Sequence, residues 1–65
     1  MKIRENRMEI LRQMQSDKWY TKNELQNAEI FLLDRMAKEG LIESKFEYKT
    51  GSFKYRIKEV TAHLV

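Results

Sequence analysis

The sequence predicts a small α+β domain in which helical segments come first and a β-hairpin follows. Three observations carry that expectation. Ile3, Ile10, Leu11 and Met14 fall on one stripe at helical spacing. Thr21-Lys22-Asn23-Glu24 has the form of a helix capping box. On both sides of Thr50-Gly51, apolar and charged residues alternate as in a strand. With 65 residues the chain reads as a single module, residues 1–65. A domain of this size hides only about 60% of the surface its unfolded chain exposes, so its core is small.

The first helix is expected from Ile3 to Gln15, with Arg4, Glu5, Glu9, Arg12 and Gln13 largely off the apolar stripe. Ser16-Asp17-Lys18 interrupts the pattern with turn-forming residues. Trp19-Tyr20 follows as a short aromatic step. In the capping box the Thr21 hydroxyl can accept from the Glu24 N–H, while the Glu24 carboxylate reaches back to the N–H of Thr21. Tyr20 and Leu25 take the positions of a hydrophobic staple around it. A second helix therefore opens at Thr21, kept short by the polar pair Gln26-Asn27. A third helix is expected from Ala28 to Glu39, closed by Gly40 as a left-handed cap. Ile30, Leu32, Leu33, Met36 and Ala37 cover its apolar side; Asn27, Phe31, Asp34, Arg35 and Lys38 cover the other.

Beyond Leu41-Ile42 the hairpin pattern begins. Ser44, Phe46 and Tyr48 alternate with Glu43, Lys45 and Glu47; Phe53, Tyr55 and Ile57 alternate with Lys54, Arg56 and Lys58. A tip at Thr50-Gly51 sets Tyr48 opposite Phe53, Phe46 opposite Tyr55 and Ser44 opposite Ile57. The other face then pairs Glu47 with Lys54 and Glu43 with Lys58, and sets Lys45 against Arg56. A wider tip would put this register off by one. Phe46 and Tyr55 are expected in the core, with Tyr48 and Phe53 more open near the tip. The apolar tail, residues 60–65, either packs on the first helix or covers a partner.

Composition narrows the function. Hydrophobic residues make up 42% and charged residues 35%, too apolar for disorder and too polar for a membrane span. The segment Met1-Lys2-Ile3-Arg4-Glu5-Asn6-Arg7 has no apolar stretch behind its bases, so a cytoplasmic protein without a secretory signal is expected. There is no cysteine, and His63 is the lone histidine, which leaves no thiolate or histidine-pair metal site. No phosphate-cradling glycine loop or nucleophilic triad occurs, so neither an enzyme nor a cofactor is expected. The net charge is +3, and it gathers at the ends. Lys2, Arg4, Arg7 and Arg12 face only Glu5 and Glu9; Lys45, Lys49, Lys54, Arg56 and Lys58 face only Glu47. Both ends can lie along a phosphate backbone.

Helix, aromatic step, capped helix, helix and hairpin is an order that resembles the winged helix-turn-helix superfamily. Trp19-Tyr20-Thr21 with Lys22-Asn23-Glu24-Leu25 resembles its minimal first strand and the opening of its second helix. Leu33-Asp34-Arg35-Met36-Ala37-Lys38-Glu39-Gly40-Leu41-Ile42 resembles the end of its recognition helix, and Tyr48 to Tyr55 resembles its wing. The resemblance spans about residues 18–58. It implies double-stranded DNA binding, as in a small transcription regulator or DNA-transaction accessory factor. A single copy covers little DNA, so a homodimer or cooperative assembly goes with it.

On that reading the third helix offers Asn27 to adenine, Arg35 to guanine and the Phe31 ring to a thymine methyl, with Lys38 alongside. Asp34 accepts from cytosine or tethers Arg35 or Lys38. In the wing, Lys49, Thr50, Ser52 and Lys54 grip phosphates or reach a minor groove, and Gly51 lets the backbone approach closely. Arg4 and Arg7 brace the backbone from the first helix. The third helix departs from the pattern by carrying Glu29, Asp34 and Glu39 against Arg35 and Lys38. That net negative charge favours an alternative, a winged helix that binds a protein partner through Phe31 and the apolar tail.

Overall fold

The computed structural model describes residues 3–65, so Lys2, counted above among the N-terminal bases, lies outside the described residues. The architecture is α+β: helix α1 (Glu5–Leu11), a 3₁₀ turn (Lys22–Glu24), helix α2 (Ile30–Lys38), strands β1 (Ile42–Glu47) and β2 (Ser52–Ile57), and a short terminal helix α3 (Glu59–Ala62). Three helices, the second short, thus precede an antiparallel hairpin in a winged-helix-like layout.

Helix α1 is shorter than the span from Ile3 to Gln15, yet its stripe is the expected one. Ile10 and Leu11 are fully buried, Met14 is buried, and Ile3 packs against the same cluster. Beyond Leu11 the chain tightens: Gln13 N–H donates to Ile10 O and Met14 N–H to Leu11 O, both at 3.1 Å. Asp17 then turns the chain at φ 63°, a conformation that Asp tolerates better than most residues.

The capping box forms, but what it caps is a single 3₁₀ turn. The Thr21 N–H donates to Glu24 Oε1 at 2.8 Å and the Thr21 hydroxyl to the same oxygen at 3.1 Å. Tyr20 and Leu25, the staple residues, are both buried. Leu25 is already extended, which ends the turn. The break at Gln26-Asn27 is a tight corner with Asn27 at φ 60°. The Gln13 side chain holds it as a neighbouring strand would: its Oε1 accepts from Gln26 N–H at 2.7 Å, and its Nε2 donates to Gln26 O at 2.9 Å.

Helix α2 starts at Ile30 rather than Ala28, because Glu29 remains extended as its N-cap. One consequence corrects the expected apolar side: Leu33 and Met36 are buried, but Ile30 is 55% exposed. The C-terminus is a Schellman motif. Gly40 sits at φ 83°, its N–H donates to Ala37 O at 3.1 Å, and Leu41 N–H reaches back to Met36 O at 3.0 Å.

The hairpin has a register different from the expected one. Phe46 is opposite Phe53, Ser44 opposite Tyr55, Ile42 opposite Ile57, Lys45 opposite Lys54 and Glu43 opposite Arg56. The four residues Tyr48–Gly51 form the tip, closed by Gly51 N–H donating to Glu47 O at 2.9 Å with Gly51 at φ 67°. A wider tip slides the pairing by two residues, which leaves every side chain on its predicted face. Tyr55 and Ile57 are core residues, but Phe46 is 40% exposed. The slide carries it past the helices, so its assignment to the core is corrected.

Tyr20 and Tyr55 form an antiparallel bridge on the far side of β2, making Trp19-Tyr20 the minimal first strand. In the tail, α3 buries Thr61 and packs Ala62 on the core, leaving Val60, Leu64 and Val65 exposed.

The Gln13 bridge gives the first prediction. Gln13→Ala removes three exposed hydrogen bonds, two with Gln26 and one from Nε2 to Glu9 O at 3.1 Å, each at the low end of about 0.5–1.5 kcal/mol. Urea unfolding followed by circular dichroism is expected to show a loss of roughly 1–2 kcal/mol. An unchanged midpoint would mean that the corner is set by Asn27 alone.

Candidate nucleic-acid interface

The spacing that buries Leu33 and Met36 turns Phe31, Asp34, Arg35 and Lys38 to the opposite side of α2, where they line one open concavity. All four are exposed. Asn27 joins this surface from the corner: with Phe31 and Arg35 it lines an adjoining concavity that also takes in Arg4, Glu9 and Glu29. A further groove lies between the start of α2 and the hairpin, bordered by Thr21, Lys22, Asn23, Ile30, Gly51, Ser52 and Phe53. Five of the sequence-predicted residues on the helical side therefore cluster, and two from the tip border the groove at the beginning of the same helix.

The rest of the tip is disposed differently. Lys49 is exposed at the end of the turn. Thr50 donates its hydroxyl hydrogen to Glu47 Oε1 at 3.2 Å, and Ser52 Oγ donates to Thr50 Oγ1 at 3.1 Å. Lys54 lies on the hairpin face away from the core, its Nζ 3.5 Å from Glu47 Oε1. On that face Arg56 pairs with Glu43 at 3.1 Å. Trp19 receives Lys45 Nζ at 4.2 Å and the Arg56 guanidinium carbon at 4.6 Å from its ring centroid. The like-charge pair Lys45–Lys54 is relieved in this way, each cation turning to its own partner.

Arg7 is not a phosphate brace. Its side chain is 8% exposed and it grips Glu39 with two bonds, Nε to Oε1 at 2.7 Å and Nη2 to Oε2 at 2.9 Å. The pair ties α1 to the C-terminal end of α2 and neutralises one of the acids that made the third helix negative. The hydrogen bond from Arg7 holds the Glu39 carboxyl below the ordinary glutamate range, against a smaller opposing effect of burial. The same bond raises Arg7. Glu24 is lowered too, first by the backbone N–H of Thr21 and then by its hydroxyl. The Tyr55 phenol is raised, mainly by burial.

Sequence reasoning missed Lys22, Asn23 and Ile30 as groove residues, and it did not place Phe46, Tyr48 and Phe53 together as exposed rings. The interior positions of the capping box could have suggested Lys22 and Asn23, since the first two residues of a capped turn point outward. Among the described residues no group of three or more His, Cys, Asp or Glu side chains is placed to hold a metal ion. No helix there is long and apolar enough to cross a membrane. No family model, curated protein or solved structure matches the chain.

The lowered carboxyls predict a pH dependence. A glutamate with a depressed folded pKa contributes stability above its unfolded value of about 4.3, and that contribution is lost as pH falls through the folded value. Thermal melts of the wild type and Glu39→Gln are expected to differ at about pH 6 and to converge toward about pH 3. A gap that stays constant would show that the charge on Glu39 contributes nothing.

Proposed function

We propose that the chain binds double-stranded DNA, with the exposed stripe of α2 entering the major groove and the hairpin tip resting on neighbouring phosphates. The observation that carries this reading is the shared open face of Phe31, Asp34, Arg35 and Lys38. Among the described residues, neither Arg35 nor Lys38 takes part in an ion pair. A helix about 10–12 Å across suits a groove about 12 Å wide. Arg35 then addresses guanine O6 and N7, Asn27 an adenine, Phe31 a thymine methyl, and Asp34 a cytosine amine, a good bidentate contact adding about 1–3 kcal/mol of discrimination. Lys38 and Lys49 take phosphates, and Gly51 brings backbone close to them. The biological role that fits is a small cytoplasmic transcription regulator or DNA-transaction factor.

The hairpin supplies less charge to this surface than its composition promises, because Lys54 and Arg56 already face Glu47 and Glu43. That observation, with Phe31 exposed, favours as second reading a winged helix that binds a protein. Labelled random-sequence duplex titrated at several salt concentrations separates the two. Three free cations, Arg35, Lys38 and Lys49, at about 0.9 per phosphate predict a log–log salt slope of roughly −3. The double variant Arg35→Glu/Lys38→Glu is expected to lose measurable binding. Absence of binding by the wild type even at low salt contradicts the DNA reading and leaves the protein-binding one.

A further inference from the structure

We infer that the outer edge of β1 is a pairing surface for a second copy of this chain, with the two-fold axis beside Phe46. The inference goes beyond DNA binding and does not depend on it. It begins with the backbone. Among the described residues, β2 has β1 on one side and Tyr20 on the other, whereas β1 has a neighbour on one side only. Lys58 N–H donates to Leu41 O, so the pairs at Leu41, Glu43, Lys45 and Glu47 are the hydrogen-bonded ones. Ser44–Tyr55 is therefore a non-bonded pair, which agrees with Tyr55 exchanging both its backbone bonds with Tyr20 at 2.8 Å. The N–H and C=O groups of Ser44 and Phe46 consequently point out of the sheet. Both residues are exposed. Ile42, the next outward-pointing residue, is only 1% exposed, so the free edge is confined to Ser44 and Phe46.

Beside that edge stand three exposed rings. Phe46 meets Tyr48 and Phe53 edge to face, each with centroids 5.0 Å apart. An apolar, unpaired edge is a template for another strand, and its charges decide which strand fits. An antiparallel second copy must set outward-pointing residues opposite one another, which leaves three registers on this edge. Ser44 opposite Phe46 sets Lys45 against Lys45 and Glu43 against Glu47, like charges throughout. Ser44 opposite Ser44 requires Phe46 to bond Ile42, which is covered. Phe46 opposite Phe46 bonds that one pair of residues, puts Ser44 beside Tyr48 of the tip, and sets Lys45 opposite Glu47 twice, once on each side of the axis. It also extends the Phe53–Phe46 row into the second copy, making four phenyl rings across four strands. The edge is thus complementary to itself in charge, as a two-fold interface must be.

Sedimentation of the full chain without DNA tests this. The wild type is expected to show a reversible monomer–dimer equilibrium. Lys45→Glu alone and Glu47→Lys alone each turn two attractive contacts repulsive and are expected to weaken the dimer by about tenfold or more. The double variant Lys45→Glu/Glu47→Lys is expected to restore it. Because Lys45 also lies over Trp19 and Glu47 beside Lys54, circular dichroism melts check that each variant is folded. Phe46→Asp, at a site outside the core, is expected to give a folded monomer. A wild type that stays monomeric at about 1 mM overturns the inference. So does a dimer that the paired charge exchange fails to restore, since another surface would then be holding it.

Discussion

Two hydrogen bonds of 2.8 Å between the backbones of Tyr20 and Tyr55 join the two halves of this chain. Among the described residues before Tyr20 the regular element is helix α1, and the hairpin lies well beyond it in sequence. Tyr55 lies in the strand between Tyr20 and β1 and buries its ring in the core, 1% exposed. Tyr20 is anchored from its other end as well, its phenol oxygen accepting from Gln15 N–H at 2.7 Å. With Tyr20 fixed on β2, the 3₁₀ turn that follows is brought against the hairpin. The corner held by Gln13 then directs α2 away from that turn. The groove between the start of α2 and the tip therefore follows from one bridge and one corner.

The second constraint is how charge is distributed once the chain is folded. The net charge of +3 says little about where positive potential lies. Arg7, Lys54 and Arg56 each meet a carboxylate, and the Arg7–Glu39 pair also removes a negative charge from the end of α2. A partly buried bidentate pair of this kind fixes geometry more than it adds stability, since desolvation opposes the Coulomb gain. Arg35 and Lys38, with Lys49 at the tip, remain open to a polyanion. The exposed side of α2 thus holds two cations without an ion pair among the described residues, while two of the three on the hairpin face are matched by carboxylates.

Much of the fold was legible in the sequence where local chemistry decides the outcome. The Thr21–Glu24 box, the Gly40 cap and the period-two hairpin each depend on a few neighbouring residues, and each formed. The stripe Ile10, Leu11 and Met14 identified the buried side of α1. What could not be read was set by longer-range geometry. The register depended on whether the tip held two residues or four, and the choice moved Phe46 out of the core, set Ser44 opposite Tyr55 and brought Ile42 opposite Ile57. The exposure of Ile30 depended on Glu29 staying extended. The loss of Arg7 as a phosphate contact required a partner thirty-two positions away, Glu39. In the candidate site, the helical stripe Phe31, Asp34, Arg35 and Lys38 follows from periodicity alone. The pairing of Lys54 with Glu47 depended on the register and was only partly foreseeable.

Backbone amide shifts recorded while duplex DNA is added to the folded chain would map its contact surface residue by residue. Changes concentrated at Asn27, Phe31, Asp34, Arg35 and Lys38 and at the tip from Lys49 to Ser52, with the Trp19 face quiet, are what the proposed DNA reading predicts. Shifts confined to the face bearing Trp19, Lys45 and Arg56, or no shifts at all in low salt, would contradict the assignment of α2 as the DNA-reading element.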